Sequence, residues 1–523
     1  MAMSRPLRLV QQATQPIEFC CPLCGSVHPA YIFGTGQFRV FRCGGCALTF
    51  SKNTSGTSEV PSPAPPDTVA AINRTERDYA GLLAAIDAAI VDGPVLLVAR
   101  PEDGLSELLR RRGVTVGIAV NEDDFGAPDW DKTCCAAIVS DALMRVPDPR
   151  LALAKIRNHL APGAPLLLSV PLLDGSQARL MGRSWHEWNP ANRWYFTRET
   201  LNLLLLSAGF ERVWFDVERR SYSLERVSER MRANVEAASL AGRIQTLSRV
   251  LPGPVRRREF RLPAGTAVVS AVAGAQRSEC VVSIIVPVFN EARTFKTMMD
   301  GLLAKQLPDM RKEIIVVESN STDGSRELVR FYAGHPEVRV VLQPRPRGKG
   351  FAVREGLAVA TGDIVMIQDA DLEYDVDDYD GLLAPVAAWQ SMFILGSRHQ
   401  GGWKMRKFDD APLTAAIFNF GHSFFRTAIN VALNTRMSDP FTMFKVFRRD
   451  ALFGIDFVCN RFDFDIELVM KLVRKGYVPV ELPVNYASRS FAEGKKVSFT
   501  RDGLTWIWTI AKMRLAPLGR GSA

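Results

Sequence analysis

Three stretches in the C-terminal half decide the fold: VVSIIVPVFNE at residues 281–291, EIIVVESNSTDGS at 313–325 and GDIVMIQDADLEYD at 362–375. Each contains a run of apolar, mostly β-branched residues followed by polar ones, which predicts a buried β-strand running into a loop. The residues between them favour helices. This alternation predicts an α/β fold with a parallel sheet, in which ligands bind where the strands reach their carboxyl ends.

The third stretch ends its strand with two aspartates, Asp369 and Asp371, and Glu373 follows two residues later. Residues i and i+2 of an extended chain point to the same side, so the two aspartates can face one site together. Carboxylate oxygens are the ligands that hard divalent ions prefer. The sequence therefore predicts an Mg²⁺ or Mn²⁺ site formed by Asp369, Asp371 and Glu373.

These stretches and two later motifs occur together in an order and spacing that resemble the family 2 inverting glycosyltransferases. The similarity extends over residues 281–503 and is greatest to the polyprenyl-phosphate branch that includes dolichol-phosphate mannose synthase. It implies a domain at 281–523 with the GT-A nucleotide-diphospho-sugar transferase fold. It also implies transfer of a sugar from a nucleotide-diphosphate sugar to an acceptor.

The resemblance implies a nucleobase pocket lined by Pro287, Phe289 and Glu291. Glu318 takes the place of the family's base-contacting aspartate, and a carboxylate there can accept from a ring N–H. Ser319 replaces the acidic residue that follows it in the family. These two departures leave the nucleotide and the sugar open.

The resemblance also implies a basic loop, in which Arg347 and Lys349 meet the diphosphate. The metal held by Asp369 and Asp371 then neutralises the leaving nucleoside diphosphate while the acceptor attacks from the opposite face, with inversion. A phosphate acceptor is already ionised and needs no general base. For a hydroxyl acceptor, the best candidate for the base is Asp439.

On the acceptor side, the polyprenyl-phosphate branch carries cations at positions that correspond to Arg398, Arg489 and Lys495. Together they would clamp a phosphate, although each taken singly fits a surface cation as well. Polyprenyl phosphate is therefore the expected acceptor. Residues 471–523 are rich in Lys and Arg, which favours anionic surfaces; no nucleic-acid-binding module accompanies them, and we expect no nucleic-acid partner.

Residues 411–433 form a long, mostly apolar stretch interrupted by Asn419, His422 and Arg426. It is amphipathic, and with Trp506 and Trp508 it can lie at a membrane interface or pack against the protein's own core. No run of residues is long and apolar enough to predict a transmembrane helix. The N-terminus lacks the features of a secretory signal, so we expect a cytoplasmic protein, peripheral at the inner face of the membrane.

Cys21, Cys24, Cys43 and Cys46 form two Cys-x-x-Cys pairs at zinc-ribbon spacing. Each pair places two thiolates on one side of a turn, and four thiolates satisfy a closed tetrahedral zinc site. We expect a structural Zn²⁺ in a zinc ribbon at residues 18–52. The Ser-, Thr- and Pro-rich residues 53–68 are expected to form a linker.

Residues 69–275 form the expected middle domain, with short apolar strands alternating with helices. Four motifs give the resemblance to a class I S-adenosylmethionine-dependent methyltransferase with a Rossmann-like fold: SDAL at 140–143, VPDP at 146–149, LAPG at 160–163 and YFTRETL at 195–201. After the first strand, however, ARPEDG at 99–104 retains a single glycine, and residues 117–120 offer no acidic group for the ribose. These losses favour a degenerate domain that does not use S-adenosylmethionine.

Composition excludes a disordered chain, because 47% of the 523 residues are hydrophobic and 23% are charged. Two alternatives from other functional classes stay open. One is a bifunctional methyltransferase and glycosyltransferase that acts on a cell-surface polysaccharide. The other is a non-catalytic protein that binds a sugar nucleotide. The sequence leaves the oligomeric state undetermined.

Overall fold

The computed structural model describes residues 20–35, 37–53, 79–89, 93–100, 104–121, 133–185, 187–222, 260–275, 279–399, 412–487 and 499–516. The strands in chain order are β1 (Pro29–Gly34), β2 (Phe38–Cys43), β3 (Thr49–Asn53), β4 (Val95–Val98), β5 (Val116–Val120), β6 (Ala136–Ser140), β7 (Pro165–Pro171), β8 (Trp194–Tyr195), β9 (Phe210–Tyr222), β10 (Phe260–Ala273), β11 (Cys280–Val288), β12 (Met310–Glu318), β13 (Val338–Leu342), β14 (Ile364–Ile367), β15 (Phe393–Ser397), β16 (Lys445–Arg448) and β17 (Val480–Pro483).

The α-helices are α1 (Ala80–Ala89), α2 (Leu105–Arg111), α3 (Pro149–Asn158), α4 (Ser176–Met181), α5 (Arg198–Ser207), α6 (Phe295–Ala304), α7 (Ser325–Phe331), α8 (Lys349–Val359), α9 (Tyr379–Ala387), α10 (Pro412–Leu433), α11 (Asp463–Lys475) and α12 (Phe499–Leu515). Local chemistry accounts for several of their ends. Asp148 caps α3 by accepting from two backbone N–H groups, and Gly476 ends α11 in the left-handed conformation.

The smallest sheet is antiparallel and has the order β1-β2-β3-β8. Its first three strands come from the cysteine-rich N-terminal segment, and the aromatic rings of Phe41 and Phe50 stack within it at 5.5 Å. The fourth strand, β8, comes from the middle of the chain and pairs with β3. The N-terminal segment is therefore joined to the middle of the chain by main-chain hydrogen bonds.

The middle sheet has the order β5-β4-β6-β7-β10-β9. The first four strands are parallel, as the alternation of strands and helices predicts. β10 lies between β7 and β9 and is antiparallel to both, so the sheet is mixed. Residues 266–272 of β10 form its pairing with β7.

The C-terminal sheet has the order β13-β12-β11-β14-β16-β15-β17. β13, β12, β11 and β14 are parallel, β16 is antiparallel to both its neighbours, and β17 is parallel to β15. The central strands are rich in Ile and Val; β14 is fully buried and β11 and β12 are mostly buried, which suits strands that have helices on both faces. The carboxyl ends of β11, β12 and β14 therefore open onto one edge of this sheet.

Helix α5 of the middle segment packs against the C-terminal segment. The Asn202 Nδ2 amide donates to the Tyr477 hydroxyl over 2.6 Å, and the Met392 N–H donates to the Glu199 carboxylate over 3.3 Å. Burial raises the pKa of Glu199 to about 7. A continuous apolar core runs from the N-terminal sheet through this contact into the C-terminal segment.

Candidate functional site

The two aspartates lie where the sequence predicts them, directly beyond the buried strand β14 and Gln368. Asp369 Oδ1 is 2.5 Å from the Lys349 ammonium group, which comes from the first residue of α8. Burial lowers the pKa of Lys349, but Asp369 and other nearby carboxylates raise it further, so the net shift is upward. The lysine stays protonated and balances the charge of the aspartates.

Glu373 lies close to the aspartates in sequence but binds a different partner. Its Oε2 accepts from the Tyr486 hydroxyl over 2.9 Å, and its own N–H donates to Asp371 Oδ1 over 3.2 Å. Within the described part of the chain, Asp369, Asp371 and Glu373 do not bring three ligand atoms within 4.8 Å of one another. The structure thus pairs Asp369 with Lys349, keeps Asp371 near enough to act on the same lysine, and turns Glu373 toward Tyr486.

The nucleobase side contains a contact that sequence reasoning missed. Glu318 ends β12 fully buried, and its carboxylate accepts from the Arg326 guanidinium and from the Ser321 N–H, both over 2.6 Å. The carboxylate expected to meet a base is therefore already hydrogen-bonded within the protein. Arg326 follows the conspicuous polar loop by only a few residues, yet no pattern in the sequence connects it to Glu318.

The other residues of the expected nucleobase pocket lie on the neighbouring strand. Pro287 is partly buried near the end of β11, and the Phe289 ring just beyond it is 37% exposed, as a ring that stacks on a ligand must be. Glu291 comes next, and its Oε2 accepts from Thr294 over 3.3 Å. All three lie at the edge where β11 and β12 end.

The basic loop is fixed against the body of the domain. The Arg347 guanidinium lies 3.6 Å from the centre of the Phe351 ring, a cation–π contact, while the side chain stays exposed. Gly348 has a φ of 101°, and a Cβ there would stand 2.4 Å from the Asn460 carbonyl oxygen. Only glycine lets the loop approach so closely and turn Lys349 toward Asp369.

On the acceptor side, Arg398 and Asp439 form a buried, bidentate ion pair. Nε and Nη2 of Arg398 each donate to the Asp439 carboxylate over 2.8 Å, and the Arg398 backbone N–H donates over 3.1 Å. Burial alone would raise the pKa of Asp439, but the guanidinium outweighs it and holds that pKa far below its usual range. Asp439 fits the positioning of Arg398 better than the acceptance of a proton. The predicted Arg489 and Lys495 lie outside the described residues.

Two histidines that the sequence analysis did not select lie beside this pair. Nε2 of His422, on α10, is 3.8 Å from Asp439 Oδ1, and the His399 and His422 rings are 5.0 Å apart. Burial lowers the pKa of His399 to about 4. Three elements distant in sequence contribute these residues, so no local spacing reveals the cluster.

The four predicted cysteines converge at the N-terminal sheet. The Sγ atoms of Cys21 and Cys46 are 3.5 Å apart, those of Cys24 and Cys43 are 3.6 Å apart, and all four lie within 4.8 Å of one another. Hydrogen bonds among the four thiols lower the pKa of Cys24 and Cys43 and raise the pKa of Cys21 and Cys46. The donor set and its compactness fit a tetrahedral zinc ion.

The described residues that follow the strands of the middle sheet include one carboxylate at the end of β6. β6 ends at Ser140, and the next residue, Asp141, has a φ of 49° and accepts from the Ser169 hydroxyl over 3.4 Å. Most of the expected cofactor loop, at 101–103, lies outside the described residues, as do residues 122–132 after β5. Trp185 is buried beside Trp188.

Comparison with known proteins agrees with this architecture. Residues 283–453 match the glycosyl transferase family 2 model, and residues 89–214 match a methyltransferase domain model. A dolichyl-phosphate beta-glucosyltransferase of Trichomonas vaginalis is 30% identical over 224 residues, which cover 40% of this chain and 64% of that protein. A dolichol-phosphate mannosyltransferase of Mycosarcoma maydis is 30% identical over 222 residues, which cover 41% of this chain and 72% of that protein.

Among solved structures, glucosyl-3-phosphoglycerate synthase from Mycobacterium tuberculosis, in complex with Mn²⁺, uridine diphosphate and phosphoglyceric acid, is 19% identical with a TM-score of 0.35. The similarity covers 46% of this chain and 80% of that one. The GT-A-like C-terminal domain is of the glycosyltransferase class. The chain belongs to glycosyl transferase family 2, and it spans less than two thirds of the Trichomonas relative's length.

Proposed function

We propose that the C-terminal domain transfers a sugar, with inversion, from a nucleotide-diphosphate sugar to a polyprenyl phosphate. The observation that carries this proposal is the pairing of Lys349 with Asp369, with Asp371 acting on the same lysine, beyond a strand of the sheet whose neighbouring strands end near Phe289 and at Glu318. One edge of the sheet thus offers carboxylates for a metal, a cation for a diphosphate and an exposed ring for a base.

The aspartates fit an Mg²⁺ or Mn²⁺ ion because their oxygens are hard ligands and because Asp369 already attracts the Lys349 cation. A divalent ion bound there supplies charge neutralisation to the leaving diphosphate. Lys349 is held where it can share that task, and Arg347 remains exposed for contact with the donor. Glu373 is the weakest member of the expected ligand set because it binds Tyr486.

A phosphate acceptor agrees with the state of Asp439. Since that carboxylate is paired with Arg398 and strongly acidic, it is poorly suited to deprotonate a hydroxyl, whereas an ionised phosphate needs no base. The names of the two relatives, which are dolichol-phosphate glycosyltransferases, point the same way. Arg398 is proposed to bind the acceptor phosphate together with Arg489 and Lys495.

Helices α10 and α12 offer a surface for a lipid acceptor. They pack together through the Phe425 and Trp506 rings, whose centres are 5.2 Å apart. Large apolar side chains remain on the outside, with Val431 78% exposed and Trp508 68% exposed. None of the described helices combines the length and apolar character needed to span a bilayer. We propose that this pair rests at the cytoplasmic membrane surface.

The remaining domains are proposed to be structural. A zinc ribbon at 18–52 would hold Zn²⁺ through its four cysteines, a linker would follow at 53–68, and a methyltransferase-like domain at 69–275 would act without S-adenosylmethionine. The contact of α5 with the C-terminal segment gives that middle domain a role as a support for the transferase.

A lipid-extraction assay tests the proposed transfer. The full chain is incubated with Mn²⁺ or Mg²⁺, with polyprenyl phosphate in detergent and with a panel of radiolabelled nucleotide sugars, and label is counted in the organic phase. Metal-dependent transfer of one sugar is the expected result. Efficient transfer to a soluble saccharide with none to polyprenyl phosphate would overturn the acceptor assignment and return Asp439 to consideration as the base.

A further inference from the structure

The cluster of His399, His422 and Asp439 lies at the junction of three elements. His399 follows β15, His422 lies on α10, and Asp439 lies in the loop that joins α10 to β16. One ligand atom from each side chain lies within 4.8 Å of the other two. In the described part of the chain this is one of two such groups, the other being the four cysteines.

We propose that His399, His422 and Asp439 form a second protein metal site, for a first-row transition-metal ion such as Zn²⁺. Two imidazole nitrogens and one carboxylate oxygen are a ligand set that suits these ions and not Mg²⁺. Three protein ligands leave a coordination position open for water or a bound ligand. The site is distinct from the Asp369 and Asp371 pair, whose donors are all oxygen.

The surroundings of Asp439 match those of a metal-binding carboxylate. Its Oδ2 accepts from the Arg398 backbone N–H and from Arg398 Nε, and its Oδ1, which accepts from Arg398 Nη2, is also the oxygen that lies 3.8 Å from His422 Nε2. The Asp439 backbone is held in turn, because its N–H donates to Glu481 over 2.7 Å. Such outer contacts fix the orientation of a ligand before the ion arrives.

The environment of the His422 side chain favours the binding of a metal ion. Its Nε2 atom is buried and forms no hydrogen bond to any described residue. A buried polar atom without a partner is unfavourable, and coordination would satisfy it. The Phe441 ring, 5.4 Å from His422, covers the site on one side and is itself stacked on Trp506.

Charge gives the main argument against a cation, because Arg398 and Arg426 both act on His399 electrostatically. Arg398 is neutralised by Asp439, however, and Glu481 adds a second carboxylate next to that pair. The competing occupant would be an anion such as phosphate, held by the two arginines. The buried Nε2 of His422 favours the metal, since an imidazole lone pair attracts cations.

A metal ion bound by His399, His422 and Asp439 would also restrict the motion of the side chains proposed to bind the acceptor. This consequence rests on the proposed function. Asp439 would bind the metal and Arg398 together, and the Arg398 guanidinium lies 5.1 Å from the centre of the Tyr486 ring. Tyr486 in turn donates to Glu373, beside Asp371. Filling the site would therefore fix Arg398 for the acceptor phosphate.

Metal titration of the full chain tests the proposal without any turnover. Protein stripped by a chelator is titrated with Zn²⁺ against a competing dye and, separately, with Co²⁺ followed by absorbance. We expect two Zn²⁺ ions per chain, one at the cysteines and one at the histidines. H422Q and H399Q, which change different elements, should each lose one ion, with affinity at that site weakened more than about 100-fold.

Matched variants separate the two sites. C43S should lose the thiolate-to-cobalt charge-transfer band and keep the visible bands of the nitrogen and oxygen site, and the histidine variants should do the opposite. H335A, which removes an exposed histidine elsewhere, should bind like the wild type. Circular dichroism establishes that each variant is folded, and the pair H422Q and H399Q keeps the test valid if one of them is not.

Unchanged Zn²⁺ and Co²⁺ binding in both folded histidine variants would overturn the site. Weaker binding of inorganic phosphate in those variants, with Zn²⁺ binding unaltered, would overturn it in favour of an anion site. Failure of the proposed sugar transfer would appear in the lipid-extraction assay alone, because the metal count needs neither donor nor acceptor.

Discussion

The middle and C-terminal sheets share a plan and differ in what their strand ends carry. In both, four parallel strands place their carboxyl ends at one edge. In the C-terminal sheet that edge carries Glu318, Asp369 and Asp371, whereas the described residues after the strands of the middle sheet include Asp141, beyond β6, and Asp174, beyond β7. The same topology thus carries different polar side chains in the two domains, and function must be argued from the site.

One group of charged side chains in the middle domain lies at its border with the C-terminal domain. Helix α5 begins with Arg198 and Glu199; Arg198 pairs with Asp174 over 3.1 Å, and Glu199 accepts from Met392 in the other domain. This contact agrees with our proposal that the middle domain serves as a support for the transferase.

Replacing Asp371 with Asn should reduce sugar transfer by at least about 100-fold, because one of the two carboxylates that hold the metal is lost. The melting temperature should change little, since Asp371 lies at the surface of the site. The control is Asp380→Asn, which removes an exposed carboxylate on α9. Near-normal sugar transfer by Asp371→Asn would contradict the proposal that the active site lies at this edge of the C-terminal sheet.

Replacing Arg489 with Ala should raise the apparent KM for polyprenyl phosphate by about tenfold, the loss expected for one charged hydrogen bond. The KM for the nucleotide sugar should stay within about twofold, because Arg489 is proposed to contact only the acceptor. Arg330→Ala, an exposed arginine on α7, is the matched control. Equal effects on both KM values would argue against an acceptor role.

Replacing Glu199 with Gln should stabilise the chain at alkaline pH. Because burial raises the pKa of this carboxyl to about 7, its contribution to stability is greatest below pH 4.5 and falls as the pH rises through 7. The glutamine variant should be more stable than the wild type by about 1–2 kcal/mol at pH 8, allowing for partial exposure, and nearly equal at pH 5. Urea denaturation at the two pH values measures this, and a difference independent of pH would contradict it.

We expect S-adenosylmethionine to have no effect on the protein. Adding S-adenosylmethionine to the full chain should produce no heat in calorimetry and no shift in melting temperature, because ligand binding would stabilise the folded state. A catalytically active methyltransferase run in parallel serves as the positive control. Saturable binding would show that the middle domain still binds S-adenosylmethionine. The two domains would then differ in the reaction they support, and neither would be merely structural.

The sequence predicted what local patterns can encode. The positions of Asp369 and Asp371 followed from a buried strand that ends in alternating carboxylates, and the cysteine cluster followed from spacing alone. The sequence did not predict the pairing of Glu318 with Arg326 or of Arg398 with Asp439. It also did not predict that His399 and His422 lie close together. These contacts join separate strands and helices, and only the packed fold brings them together. The antiparallel placement of β10 is a long-range pairing of the same kind.

The pairing of β3 with β8 has a consequence for the order of events during synthesis. The Ser51 hydroxyl donates to the Asn192 carbonyl, 141 residues later in the chain. Chains emerge from the ribosome N-terminus first, so the cysteine-rich segment appears long before the strand that completes its sheet. Its first three strands can pair early, but their fourth partner arrives only after most of the middle domain has been made. The sheet of β1, β2, β3 and β8 is thus completed only after residue 195 has been made, although its first three strands end at residue 53.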